Sequence, residues 1–577
     1  MSDPLFAAID FVPAMVDTVA PLQADEELLP EGLDISFKAL PAIMVIGMMV
    51  LFLAAGVFYK VADTADMWVA GRSIGNLENG MAIGANWMSA ASYLGMAALI
   101  ALSGVYGLAF IVGWTTGYFV LLIFLAAQMR RFGKYTAPDF VGDRFSSDAA
   151  RALAAITTFL IGLVYALGQA RGMGLVGLYV LGDWSALTGG LLSGYQVMMV
   201  LFMIVTIGYL TLSGMLGATK TMVLQYIILI VAFLVGLFAT GWFGGYSTAA
   251  PQIEYGMLIN DLAAEFSDPF AGGSYYLWIA TCFSLVFGTC GLPHVLVRFY
   301  TVQNERIARW SCTWGLFFIC VLYLSAPAYA AFGTDLYSQQ VGDVYGDPGM
   351  SDAAADVIVV LATQLAGMPQ WFVGLVAAGG IAAAMATTAG LFIAGSSAIS
   401  HDIYANIINP EATGRQQVLV GRLSIIALGV LTILFSLDPT APIAALVSFA
   451  FSLAAIVLFP MFFLGLWWEN TNRPGALAGM TTGLIVWLIP MFNEGHFGPG
   501  FGIEWLATWM PAIGSGLVGV PIVFAVTILV SLVTEEPPLE TKQMVRQCHS
   551  PDPMPRDKTA ADIVSEHNRS EGTPADD

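Results

Sequence analysis

Along most of the chain the apolar residues do not alternate with polar ones but run in long blocks separated by short polar segments. Blocks near ~20 residues are what a helix needs to cross a bilayer, and this pattern predicts helices rather than strands. It predicts about thirteen spans, at 39–59, 79–104, 107–129, 152–181, 194–212, 219–243, 275–297, 310–332, 371–399, 418–437, 442–466, 474–492 and 511–533. The expected class is an all-α polytopic membrane protein.

Composition agrees. Of 577 residues, 57% are hydrophobic and 11% charged, too little polar surface to cover a water-soluble fold of this size. The basic residues add an orientation, because Lys and Arg are retained on the cytoplasmic side. All but Lys38 and Arg171 fall in the loops of one face, which predicts an external N-terminus and a cytosolic C-terminus. Residues 1–37 carry no Lys or Arg and read as an extracellular acidic tail, with an interfacial helix considered at FAAIDFVPAMV. Residues 38–533 form the transmembrane domain, with core repeats expected over about 79–243 and 275–466. From 534 to 577 the polar, proline-containing sequence predicts a disordered cytosolic tail. The net charge of −20 resides almost wholly in loops and tails, so it describes a solvated surface and excludes nucleic acid as a partner. The acidic external loops at 244–274 and 333–370 are read either as solvated surface or as caps over the outer mouth. Five scattered cysteines have neither disulfide-framework nor metal-type spacing.

Three spans depart from plain apolar helix. The second, MAIGANWMSAASYLGMAALIALSG, places Asn86, Ser89, Ser92 and Tyr93 among glycines. It is either a close-packing face or an unwound segment lining a cavity. The seventh contains VFGTCGLPHVLVRFYTV, where Gly288, Gly291 and Pro293 interrupt the helix. These two spans are five apart and therefore run in opposite directions, and paired interruptions of that kind point to an inverted-repeat transporter. The ninth, GLVAAGGIAAAMATTAGLFIAGSSAISHDIY, offers Thr387 and Thr388 as hydroxyl ligands, or as groups bonded back to their own helix. Arg171 sits inside the fourth span near Gln169. A charge there costs ~2.5–3.5 kcal/mol at the bilayer centre and needs a partner. As the spans are drawn, none carries an Asp or Glu at that depth, so a substrate carboxylate is one candidate partner; snorkelling to the outer interface is the other. Of the side chains on which proton carriers run, only His294 lies in a span, so hydroxyl and carbonyl binding of Na+ leads.

The stretches WVAGRSIGNLENGMAIGANWMSAASYLG, GKYTAPDFVGDRF, FGTCGLPHVLVRFYTV and SSAISHDIYANI resemble the sodium:solute symporter family, in the branch similar to cation/acetate permeases. The resemblance implies a LeuT-like 5+5 inverted repeat in a transporter rather than an enzyme, with Na+ as coupling ion. It implies a metal site at the carbonyls of Ala85, Met88 and Ala383 and the side chains of Ala386 and Thr387, with Thr388 as substitute hydroxyl where relatives carry two. Met222 stands where the family often has Asp. The substrate, a small organic acid such as acetate, is expected near Asn86, Ser89, Tyr93, Gln169, Leu285 and Thr289, with Arg171 on its carboxylate. Further implications are a bacterial inner membrane location and a possible small accessory membrane subunit. The competing functions are Na+ symport of another solute, such as a neutral amino acid, and a membrane sensor built on the same fold.

Overall fold

The computed structural model of the chain describes residues 37–61, 63–246, 250–259, 262–268, 270, 274–346, 349–552 and 558–570. The expected external tail and its interfacial helix lie outside the described residues, apart from Phe37. The described residues fold into helices, with one isolated β-bridge between Ile74 and Val302. The helices used below are α1 (Ala39–Phe58), α2 (Asn76–Trp87), α3 (Met96–Ser103), α4 (Leu108–Phe124), α5 (Ala137–Arg144), α6 (Asp148–Leu181) and α7 (Gly194–Phe243). They continue with α8 (Tyr275–Gly291), α9 (Pro293–Tyr300), α10 (Glu305–Gln340), α11 (Asp352–Asp356), α12 (Gln370–Ser397) and α13 (Gly414–Phe435). The last are α14 (Ile443–Leu453), α15 (Phe459–Trp467), α16 (Arg473–Asn493), α17 (Gly516–Val533), α18 (Leu539–Cys548) and α19 (Ala560–Ser570).

Among the described residues, 11 segments are long and apolar enough to cross a membrane. Two of them are divided internally by a glycine: 91–124, of 34 residues, and 194–243, of 50. At 1.5 Å per residue the second would measure ~75 Å against a hydrocarbon core of ~30 Å. Each contains a glycine in backbone geometry essentially closed to other residues, Gly104 (φ 58°, ψ −149°) and Gly214 (φ 52°, ψ −156°). The expected count of thirteen divides the chain at these same two places.

The layering follows apolar composition. α12, rich in Ala and Gly, is wholly buried along its apolar window and packs against α1, α6 and α7. Small residues let its backbone approach its neighbours, which is how helices associate without a hydrophobic driving force between them. α1, α13 and α17 are outer helices that expose Ile43, Val50, Leu419, Ile426 and Leu529. Where α8 crosses the end of α14 and the segment after it, Gly288 and Gly291 bring backbones into contact. A methyl group at either would lie 2.5 Å from the Phe451 oxygen or 2.2 Å from the Ala454 oxygen.

The stretch expected to be a disordered tail contains two helices among its described residues. Residues 539–548 and 560–570 are helical. Thr541, Met544, Val545 and Cys548 form a buried stripe at helical spacing within a window that is polar on average. Arg131 Nη2 donates to the Asp552 carbonyl (2.8 Å), and the His549 ring pairs with the Leu466 carbonyl (2.8 Å).

Replacing Gly291 by Val forces a side chain into backbone, and overpacking of this kind costs roughly 1–3 kcal/mol. The melting temperature of purified Gly291→Val in detergent should fall. Gly47→Val, where nothing lies within 4 Å, should melt like the parent protein.

Candidate functional site

The site is built where α2 stops. Trp87 is its last residue, and Met88 turns out of the helix at φ −71°, ψ 70°. The Ser89 amide then donates to the Trp87 oxygen (2.7 Å) and the Ala90 amide to Gln169 Oε1 on α6 (2.8 Å). In a continued helix these amides would serve the carbonyls of Ala85 and Asn86. The chain resumes with Ser92 and Tyr93 both donating to the Ser89 oxygen (3.0 and 2.8 Å) and a wide π-helical turn over Ala91–Gly95. Of the two open readings of this span, the unwound one is therefore what the chain adopts.

The second break lies opposite. α8 ends at Gly291, Leu292 is extended, and Pro293 opens α9 at a position where its missing N–H is no loss. The two breaks are tied directly, since Asn86 Nδ2 donates to the His294 carbonyl (3.1 Å). α12 closes the third side. Thr387 Oγ1 donates to the Asn86 carbonyl (2.9 Å), and at Gly390 a Cβ would sit 1.9 Å from Asn86 Oδ1. Tyr165 pairs with Ser89 and packs edge-on to the His294 ring at 5.3 Å. Trp87, Trp114, Tyr118 and Phe451 form the adjoining aromatic wall, with Trp87 Nε1 bonded to the Tyr323 hydroxyl (3.0 Å). Within this enclosure Asn86 Oδ1, Gln169 Nε2 and both ring nitrogens of His294 are buried and without a hydrogen-bond partner among the described residues.

Asn86, Ser89, Gln169 and Thr387 thus meet at one place, but other expected residues do not join them. The Thr289 hydroxyl donates to its own helix at Leu285 (2.7 Å), and both side chains face α4, where they fill the space left by Gly117 and Gly113. Tyr93 reaches past the break to the Val376 carbonyl (3.0 Å). Thr388 bonds back to Ala384 (2.8 Å), so its hydroxyl does not replace the one missing at Ala386. Ala383 and Ala386 are fully buried on α12. Met222 lies against Arg298, whose Nη2 is 2.6 Å from its sulfur.

Arg171 has partners within the chain. Its Nε is 2.7 Å from Asp356 Oδ2 and its Nη1 donates to the Ala441 carbonyl (3.0 Å). Its charge is met by α11, in the acidic loop that the sequence suggested was surface or cap, so no arriving carboxylate is needed to neutralise it. Sequence separation of 185 residues hides this pair, and the buried apolar Ala353–Ala355 beside Asp356 was its one signal. A second acid lies beyond the ninth span as hydropathy draws it, Asp402. The π-helical continuation of α12 over Ala398–Ile408 carries it, fully buried, within a candidate span.

Interrupted helices that exchange side chain for backbone bonds across a buried polar centre define a helical membrane carrier. The family model described as the sodium:solute symporter family matches residues 67–483, and the chain belongs to this family. It is a transporter, not an enzyme, and an integral membrane protein. An uncharacterized symporter of Cupriavidus necator is 30% identical, covering 84% of this chain and 90% of that protein. A monocarboxylic acid transporter of Corynebacterium glutamicum is 32% identical over 81% of this chain and 86% of that one. The uncharacterized symporter YwcA of Bacillus subtilis is 31% identical, covering 80% and 85%. Among solved structures, a Na+-coupled sialic acid symporter in a substrate-bound outward-open state has a TM-score of 0.65 at 16% identity, covering 87% of this chain and 99% of that one. That likeness shows the fold.

Burial raises the Asp356 carboxyl from its ordinary range to about 6, against the lowering effect of Arg171. A carboxyl protonated to a higher pH in the folded than in the unfolded state loses stability as pH rises from about 4 to about 6. Asp356→Asn should remove that segment of the melting curve against pH. Arg171→Gln, which leaves a buried carboxylate unpaired, should melt lower above pH 6, where breaking such a pair costs ~3–5 kcal/mol.

Proposed function

We propose that the chain couples inward flow of Na+ to uptake of a small monocarboxylate such as acetate. The observation that carries the ion is the α2 break, where the carbonyls of Ala85 and Asn86 lose their helical amides while Thr387 arrives from α12. Na+ is a hard cation that takes oxygen ligands. The carbonyls of Ala85, Met88 and Ala383 and the Thr387 hydroxyl are its proposed ligands, with Ala386 supplying no side-chain oxygen.

The substrate is proposed to bind beside the ion, at Asn86, Ser89, Gln169 and His294. Gln169 Nε2 and a protonated ring nitrogen of His294 are the unpaired donors there. Neutral donors next to a bound cation suit one small anion, because the pair enters with its charges balanced. Arg171 then acts as an outer latch on Asp356 rather than as the substrate's counter-ion. The substrate class draws support from the Corynebacterium relative, described as a monocarboxylic acid transporter.

The two breaks on oppositely directed spans support a 5+5 inverted repeat over about 79–243 and 275–466, with alternating access by movement of one bundle against the other. The thirteen-span count and the sidedness of Lys and Arg support an external N-terminus and a cytosolic C-terminus. The bacterial relatives support an inner membrane location.

Labelled acetate uptake into proteoliposomes should be several-fold faster under an inward Na+ gradient than with K+ in its place. Equal rates would defeat the coupling. Thr387→Ala should raise the Na+ concentration for half-maximal uptake about tenfold, equivalent to ~1.4 kcal/mol, with the maximal rate retained. An unchanged Na+ dependence would remove Thr387 from the site.

A further inference from the structure

Away from the two breaks, at the cytoplasmic end assigned above, α5 and the π-helical end of α12 share a buried ionic cluster. The ligand-type atoms of Asp139, His401 and Asp402 all lie within 4.8 Å of one another. His401 Nε2 is 3.1 Å from Asp139 Oδ2, and Arg151 Nη1 lies 2.6 Å from Asp139 Oδ1 and 3.7 Å from Asp402 Oδ1. Thr136 Oγ1 donates to Asp402 Oδ2 (2.7 Å). Asp402 Oδ1, on a residue with no exposed surface, has no hydrogen-bond partner among the described residues.

A count of charges from every neighbouring element decides what the cluster lacks. α5 contributes Asp139 and Asp143, while its Arg144 is turned away onto the carbonyls of Gly465, Trp468 and Thr471. Lys134 pairs with Asp143 (2.5 Å), and Arg151 of α6 reaches both Asp139 and Asp143. The π-helical segment contributes His401 and Asp402. On α13, Arg422 is spent on the carbonyls of Thr211 and Val61 and Arg415 is exposed. Tyr135 and, from α9, Tyr300 are the other neighbours, and neither adds a carboxylate or a cation. In the next layer Arg72, over the Tyr135 ring, is offset by Asp562. Three carboxylates therefore face two permanent cations, and the enclosure is short of one positive charge.

We propose that Asp139, His401 and Asp402 form a binding site for one proton, which completes the charge balance and ties α5 to the cytoplasmic end of α12. A doubly charged metal would overshoot to a net positive charge beside the Arg151 guanidinium, whereas a proton fits without a cavity. Burial raises the Asp139 carboxyl, but the hydrogen bond and charge of His401, followed by Arg151 and Lys134, outweigh it and hold the group below the ordinary carboxylate range. The exchangeable proton is thus shared between His401 and Asp402. Because the cluster's members sit on different elements, separating α5 from α12 disperses it. A proton from the cytosol then favours the state in which the two are joined.

The inference stands apart from the substrate reading, and its test uses no substrate. Melting of the purified full chain is followed by tryptophan fluorescence from pH 5.5 to 8.5 in Na+-free buffer. The parent protein should lose melting temperature as pH rises. His401→Gln, which leaves Asp402 as the remaining acceptor of the pair, should flatten the part of that slope that the imidazole contributes. Asp402→Asn, balanced without a proton, should also flatten, and at pH 8.5 it should melt above the parent protein. Parallel slopes in all three proteins, or Asp402→Asn melting lower at pH 8.5, would overturn the proposal. So would a melting shift on adding Na+ or Zn2+ at fixed pH that His401→Gln abolishes, since that describes a metal site. If Asp402→Asn is not recovered folded, ring resonances of histidine-labelled protein keep the test. The signal missing in His401→Gln should titrate between pH 5 and 9, and a static signal overturns the site.

Discussion

A bilayer offers no water to an unpaired backbone group, so a helix can break inside it only where other parts of the protein supply the missing partners. The break at Met88 meets this condition through side chains. Gln169 takes the Ala90 amide, Thr387 caps the Asn86 carbonyl, and Asn86 itself serves the His294 carbonyl at the second break. These three bonds come from α6, α12 and α2, and together they join both interruptions to the innermost helix. Each unmet group would cost several kcal/mol, so the bonds hold the elements in register as well as shaping the site.

The buried arginines show the same economy applied to charge. Arg144 is satisfied by a ring of backbone carbonyls at the start of the 468–472 turn, and burial lowers its pKa to about 10. Arg171 is satisfied by the Asp356 carboxylate and the Ala441 carbonyl. Arg151 sits among more carboxylates than it can neutralise. A guanidinium has five donors in a fixed fork, which is why one residue type serves all three environments.

Much of this was legible in the chain. Apolar runs located the spans, Gly288, Gly291 and Pro293 marked one break, and the small polar residues of ANWMSAASY marked the other, because each is a local property of a few residues. What was not legible depended on rotation or on distance along the chain. Thr289 and Leu285 lie on a helix that is apolar all round, so no periodicity tells which face meets α4. Asp356 looked like loop surface because its partner is 185 residues away. Asp402 falls outside the ninth span as hydropathy draws it, because a π-helical segment extends that span beyond where hydropathy falls. α18 was hidden by an average, its four buried residues being diluted by the polar ones around them.

The docked tail has a consequence for assembly. Its contacts reach Arg131, Gly133 and Leu466, which belong to segments made long before residues 539–570 leave the ribosome. That binding surface comes into being only when the early helices and the α15 end have already met in the membrane. Seating of the tail is therefore a late report on whether the spans before it were inserted and paired correctly, and a chain with a misplaced helix would leave α18 with its apolar stripe in water.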